Sequence, residues 1–313
     1  MPRVGLLFPG QGAQFVGMGA ELFDARPDLL IETADAVLGW SLRDVCLEGP
    51  EERLTATEHA QPALYALSYV LWEALHQHLD GVEVGAAAGH SLGEYTALAA
   101  AGAIGFEDGL RLVAERGQAM ADAAALEPSG MAALIGADEA SAEAICAARR
   151  ADGGRLWVAN LNAPGQVVVA GGSEDLEWAA DHVRDHGIRR AIPLKVAGAF
   201  HTPYMAPAAE RLAGAVASVS FAEPAFSVFA NTTASPHGDG IAEGLVAQLT
   251  GQVRFEASVQ AIAGQVDALI HVGPGDVTAG MAKRISPDTP IHVANELSVL
   301  AEVRAALDGE EPA

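Results

Sequence analysis

Apolar positions along the chain follow two alternating patterns. Short apolar runs at Val4–Phe8, Val84–Ala88, Phe226–Ala230, Ala268–Val272 and Ile291–Ala294 read as buried strands. Between them, apolar residues recur every three or four positions, as on a helix with one buried face. Residues 28–38 fit this spacing. So does the segment after Thr55-x-x-Glu58, which reads as a capping box. There Pro62 falls near the first turn, Leu64, Leu67, Leu71 and Leu75 supply the apolar stripe, and Gly81 ends the helix. Further helices are predicted up to about residue 101, from Glu107 to Met120, to about residue 218, over 241–249 and 255–264, and from Met281 to Arg284. Strands alternating with helices imply a mostly parallel sheet covered on both faces.

The pattern changes between residues 125 and 197. Strands at Met131–Ile135, Leu156–Leu161, Val167–Ala170 and Ile188–Val196 enclose helices at 138–150 and Ser173–His186, the second capped by Ser173. This order, βαββαβ, is the ferredoxin-like arrangement. The Asn162-Ala-Pro-Gly165 turn suits a tight link between its middle strands. The expected organisation is therefore a large α/β subdomain over 1–124 and 198–313, with a small four-stranded subdomain inserted at 125–197.

Composition adds boundaries. The chain of 313 residues is 50% hydrophobic, enough for a sizeable core. Its net charge of −23, with Lys195 and Lys283 the only lysines, argues against nucleic acid or an anionic membrane as partner. The acidity reads as a solvated surface. Cys46 and Cys146 lie far apart, which suits a reducing compartment and argues against zinc or a disulfide framework. No apolar run approaches the roughly 18 residues of a membrane span. Met1–Phe8 is too short for a signal peptide. The expectation is a cytoplasmic protein without a metal. Gly309–Ala313 reads as a loose tail.

Candidate chemistry centres on Gly89-His-Ser-Leu-Gly93, a G-x-S-x-G pentapeptide between a strand and a helix. Glycines on both sides of the serine fit a turn with no room for a Cβ, which presents Ser91 as a nucleophile at a helix N-terminus. The turn Pro9-Gly-Gln-Gly-Ala-Gln14 follows the first strand, and is either a plain turn or a loop offering backbone N–H groups at the sheet's carboxyl end. Leu112, Arg116 and Met120 lie along one line of a helix. Arg116 there either snorkels or pairs with an acid, or is a cation aimed into a cleft to hold a carboxylate. A serine nucleophile needs a base. Of the downstream histidines, His182 and His186 sit on a helix of the small subdomain, His237 in a loop, and His271 and His292 within strands. His201, where the chain re-enters the large subdomain, suits a base reaching across a cleft, though sequence alone leaves it one candidate among several. His76 and His78 do not share a helix face and read as solvated.

Seven motifs in order carry a resemblance: Phe8-Pro-Gly-Gln-Gly-Ala-Gln14, Gln61-Pro-Ala-Leu-Tyr65, Gly89–Tyr95, Arg116-Gly117, Asn160-Leu-Asn-Ala-Pro-Gly-Gln166, Gly198-Ala-Phe-His201 and Val272-Gly-Pro-Gly275. Together they resemble malonyl-CoA:acyl carrier protein transacylases of type II fatty acid synthesis, relatives of polyketide synthase acyltransferase domains, across essentially the whole chain. The resemblance implies an α/β-hydrolase-like large subdomain and an activity that moves a malonyl group from coenzyme A to the phosphopantetheine thiol of acyl carrier protein. It implies no cofactor beyond these substrates, and a monomer is the expected state. By the same resemblance Ser91 takes the acyl group and His201 is its base, oriented by the backbone carbonyl of Gln248. Backbone N–H groups of Gln11 and Leu92 form the oxyanion hole, and Arg116 holds the malonyl carboxylate. Gln61, Asn160, Phe200 and His90 are supporting residues, with simple packing the alternative for His90. Phe200 matches the pattern in which a bulky ring leaves no space for a 2-methyl branch.

The family usually carries proline and tryptophan where this chain has Gln252 and Phe255. A loosened loop beside Gln248 is therefore expected. Docking of an acidic carrier protein on so acidic a chain requires a local basic patch, for which Arg189, Arg190, Lys195, Lys283 and Arg284 are candidates. The rival readings are a trans-acting malonyltransferase of a polyketide synthase, a serine esterase or thioesterase, and a non-catalytic interaction protein.

Overall fold

The computed structural model describes residues 1–309. Its larger sheet has the order β10-β9-β1-β2-β7-β8. These strands are β1 (Arg3–Phe8), β2 (Glu83–Gly89), β7 (Ser227–Ala230), β8 (Ser235–Pro236), β9 (Ala268–Val272) and β10 (Ile291–Ala294). The pairs β10–β9, β9–β1, β1–β2 and β2–β7 are parallel, and the two-residue β8 is antiparallel to β7. Parallel strands need both faces covered. Leu64, Leu67, Leu71 and Leu75 of the helix Thr57–His76 are fully buried in the main core, which the helix Phe106–Ala124 shares.

The register places the site. Phe8 pairs with Gly89, so the loops after β1 and β2 leave the sheet side by side at its carboxyl edge. In an open α/β sheet this edge is where ligands sit.

The second sheet comprises β3 (Ser129–Ile135), β4 (Leu156–Ala163), β5 (Gln166–Gly172) and β6 (Arg190–Pro193), in the order β4-β5-β3-β6 with every pair antiparallel. It has the ferredoxin-like topology and its own core, including Leu134, Ile145, Leu156 and Val169. Two backbone hydrogen bonds of 2.8 Å tie it to the larger sheet's side of the molecule, from Leu161 N–H to Val253 C=O and from Val253 N–H to Ala159 C=O.

Local signals mislead at two caps. The helix expected to start at Thr55 starts at Thr57 without a side-chain cap, and Pro62 lies inside it. Thr55 ends a preceding helix, Glu51–Thr55, and so lacks the extended backbone of an N-cap. Ser173 is the first helical residue rather than the cap, which is Gly172. The helix ends at His76, and Gly81 turns the chain before β2. Residues 28–38 divide into a π-helical turn, Asp28–Thr33, and an α-helix, Ala34–Leu38. The helices Ala20–Ala25, Leu42–Leu47 and Leu300–Leu307 are additional to those expected from the sequence. Apart from Gly309, the expected loose tail lies outside the described residues.

Candidate active site

Ser91 follows β2 with φ 51°, in the left-handed region where non-glycine residues are uncommon. Sterics around it explain both neighbouring glycines. A Cβ on Gly89 would overlap the Gly93 backbone, and one on Gly93 would overlap the Phe8 carbonyl. His201 is also left-handed, with φ 60°. Each such conformation costs on the order of 1–3 kcal/mol and persists only where surrounding contacts over-determine it.

The two strained residues meet. Ser91 Oγ lies 2.8 Å from His201 Nε2, and His201 Nδ1 lies 2.8 Å from the Gln248 carbonyl oxygen. A carbonyl only accepts, so Nδ1 carries the proton and Nε2 is free to accept from the serine hydroxyl. Burial and the nearby Arg116 cation push His201 from the usual 6.5 to about 3. The imidazole is therefore neutral at neutral pH. The expected looseness beside Gln248 is absent at this contact. Gln252 accepts from Arg254 at 2.8 Å, and the Phe255 ring packs edge-on against His90.

Arg116 stands on the helix Phe106–Ala124 in line with Leu112 and Met120, and all three are buried. It does not snorkel, and it pairs with no acid among the described residues. Its Nη1 donates to Gln61 Oε1 at 2.6 Å, and its Nη2 to Gln248 Oε1 at 2.8 Å and to Ser91 Oγ at 2.9 Å. Nε is buried without any partner. Buried cations are ordinarily matched by an anion. This one is 1% exposed and makes no ion pair among the described residues.

These groups line a cleft of 410 Å³ between the two sheets, with Gln11, Leu92, Asn160 and Phe200 on its walls. The backbone N–H groups of Gln11 and Leu92 have no protein acceptor among the described residues. Asn160 contributes lining, whereas the partner of His90 is Asn162, at 2.8 Å from His90 Nε2. Of the catalytic, binding and supporting residues expected from the sequence, all but Gln248 line this cleft, and Gln248 is buried behind it in contact with Ser91, Arg116 and His201.

Residues 6–285 match the acyl transferase domain family. The chain belongs to that family. It is 40% identical over 307 residues to the malonyl CoA-acyl carrier protein transacylase of Escherichia coli O157:H7, covering 96% of this chain and 98% of that one. The Bacillus subtilis (strain 168) protein of the same name is 38% identical, covering 91% of each chain. Among solved structures, the acyl-carrier-protein-S-malonyltransferase of Bartonella henselae superposes with a TM-score of 0.91 at 36% identity, covering 97% of this chain and 99% of that one. A malonyl-transacylase solved in complex with its type II polyketide acyl carrier protein matches with a TM-score of 0.90 at 37% identity, covering 98% of this chain and 100% of that one.

The sequence reading assigns no role to four polar residues of this acyl transferase: Glu94, Asn162, Asn231 and His237. All are largely withdrawn from solvent and engaged with the elbow or its supports. One usable signal was Glu94, the lone acid in the otherwise uncharged helix Gly93–Ala100. Among the described residues, no group of acids, histidines and cysteines could hold a metal, and no helix is long and apolar enough to cross a membrane.

Proposed function

We propose that this acyl transferase moves the malonyl group from malonyl-CoA to the phosphopantetheine thiol of acyl carrier protein, through a malonyl ester on Ser91, for fatty acid synthesis. The observation that carries the reading is Arg116, a buried guanidinium beside the nucleophile that pairs with no anion among the described residues and has one nitrogen, Nε, without a partner there. A dicarboxylic acyl group supplies the missing carboxylate, and a guanidinium can bind it through two parallel hydrogen bonds. A simple esterase would give this charge no task.

Ser91 Oγ attacks the thioester carbonyl as His201 Nε2 takes its proton. The carbonyl oxygen becomes an oxyanion facing the free N–H groups of Gln11 and Leu92. The C–S bond breaks and His201 returns the proton to the coenzyme A thiolate. The carrier thiol then repeats the sequence in reverse, with His201 again the base. One site serves two thiols in turn, so kinetics are ping-pong. No cofactor is required, because every proton and electron pair is supplied by these groups and the substrates.

A carboxylate docked on Arg116 also offsets the positive charge that helps depress His201. The neutral imidazole is the working form, so rate falls as pH drops through its pKa. Free enzyme governs kcat/KM and the substrate complex governs kcat. The acid limb of kcat/KM is expected well below the ordinary histidine range, and that of kcat at a higher pH. Stopped-flow acylation across pH would contradict this if both limbs fell at 6 to 7, the range of an unperturbed histidine.

Phe200 is buried in the cleft wall next to His201. Opening that space in Phe200→Ala is expected to raise the kcat/KM ratio of methylmalonyl- to malonyl-CoA by about 10-fold, the lower end of what one methyl group is worth in a pocket. Equal turnover of both substrates by the natural enzyme would refute the role.

Arg189, Arg190, Lys195, Lys283 and Arg284 are all exposed and free of ion pairs among the described residues. Arg284 holds the tip of the β4–β5 hairpin through Gln166 and Pro164, and Lys195 lines the cleft itself. An acidic carrier protein docking there would bring its thiol to the cleft mouth. The structural match to a polyketide carrier complex keeps a trans-acting polyketide role as the second reading. The deciding experiment is transfer from malonyl-CoA to purified fatty acid and polyketide carrier proteins. Hydrolysis of malonyl-CoA at the same rate without either would favour a thioesterase instead.

A further inference from the structure

Glu94 is 1% exposed and does not line the cleft, so it touches neither substrate nor the reacting atoms. A carboxylate so deeply buried is costly unless fully hydrogen-bonded. Here it accepts from Gln248 Nε2 at 2.6 Å and Asn231 N–H at 3.0 Å through one oxygen, and from His237 Nε2 at 2.7 Å through the other.

Two of those donors grip the nucleophile's backbone. Asn231 Oδ1 accepts from Ser91 N–H at 2.8 Å, while Asn231 Nδ2 donates to the Gly89 carbonyl at 2.7 Å. Gln248 Nε2 donates to the Ser91 carbonyl at 3.0 Å. Both peptide groups of the strained residue are thus held by amide side chains, and one carboxylate holds both supports. Because Glu94 accepts from the Gln248 NH₂, the amide oxygen of Gln248 is left facing Arg116.

We propose that Glu94 is a positioning residue for the nucleophile: as a buried acceptor it locks Asn231 and Gln248 into the brace that keeps Ser91 in its left-handed conformation and Gln248 oriented toward Arg116. This rests on the reading of Ser91 as the acyl acceptor. His237 completes the brace by occupying the second carboxylate oxygen.

The test compares Glu94→Met, which removes the acceptor, with Glu94→Gln, which keeps an oxygen for Gln248 and Asn231 and turns its NH₂ toward His237, whose Nε2 accepts in the other neutral tautomer. Ser91 reactivity is followed with malonyl-CoA and, independently of any acyl donor, with a fluorophosphonate probe. Glu94→Met is expected to lower kcat for Ser91 malonylation and the rate of probe labelling together. The scale is on the order of 10²-fold, as when a reacting atom is misplaced by about 1 Å. Probe labelling involves no malonyl carboxylate and reads the Ser91 part alone; KM for malonyl-CoA is expected to rise as Gln248 loses its orientation toward Arg116, and Glu94→Gln to restore most of the rate. Asn231→Ala acts through the same brace, so adding it to Glu94→Met should cost little more than the slower single variant. Wild-type labelling in Glu94→Met, equal losses in the Met and Gln variants, or additive losses in the double variant would each overturn the proposal. Should Glu94→Met fail to melt cooperatively, Asn231→Ala alone decides, since wild-type labelling there removes the brace. If the natural enzyme reacts with the probe but not with malonyl-CoA, the malonyl reading fails and the brace is still judged by labelling.

Discussion

Ser91→Ala is expected to abolish acyl transfer, with kcat falling roughly 10⁴- to 10⁶-fold, as when a covalent nucleophile is deleted from a cooperating pair. His201 would remain neutral and the oxyanion donors would remain in place, but nothing could store the acyl group between the two thiols. The measurement is steady-state transfer to carrier protein together with mass spectrometry of the enzyme after exposure to malonyl-CoA. The natural enzyme should carry one malonyl adduct, and the alanine variant none. A persisting adduct would place the ester on another side chain and remove the basis for the mechanism. Little structural disturbance is expected. The variant relieves no packing and leaves intact the Asn231 and Gln248 contacts to the Ser91 backbone.

Arg116→Ala should produce the second largest effect. The malonyl carboxylate would enter a pocket without its cation, and leaving one member of a buried pair unmatched costs about 3–5 kcal/mol, which is on the order of 10²- to 10⁴-fold in kcat/KM. Unbranched monoacyl-CoA donors carry no such charge, so their use should hold or rise and the preference between the two classes should collapse. Arg116→Lys should rescue only in part. An ammonium cannot reproduce the fork that now spans Gln61, Gln248 and Ser91. Competition between malonyl- and acetyl-CoA for the same enzyme gives the ratio directly. An unchanged ratio would mean that the carboxylate binds elsewhere.

These two residues differ in how they could be found. Ser91 announces itself through steric logic confined to five residues, because both flanking glycines are demanded by backbone atoms that lie close in sequence or on the paired strand. Arg116 is a cation on an otherwise apolar helical line, which periodicity detects but cannot interpret. Only the fold shows that the line faces the cleft and that no acid among the described residues pairs with Arg116. In the sequence His201 is one histidine among several, and only the family resemblance singles it out as the base. Two hydrogen bonds of 2.8 Å then tie it to Ser91 and Gln248. The roles of Asn231 and His237 are not legible in the sequence, and Glu94 stands out only as the lone acid of its helix. Their contacts span 137 to 154 residues, and short polar side chains in loops or first helical turns have many ordinary explanations.

The alternation of strands and helices, the βαββαβ segment and the serine elbow were determined by the sequence alone. Each depends on forces between near neighbours: side-chain period, turn sterics and the burial of apolar runs. The caps at Thr55 and Ser173 failed for the complementary reason, since packing overrode a local preference worth only about 1 kcal/mol. What the tertiary structure decided was electrostatic and long-range. It left Arg116 buried without an anion, held His201 neutral beside it, and placed Glu94 behind both through Gln248. Charge in a dry interior is set by what the fold brings within about 3 Å, and no local pattern in a chain encodes that distance.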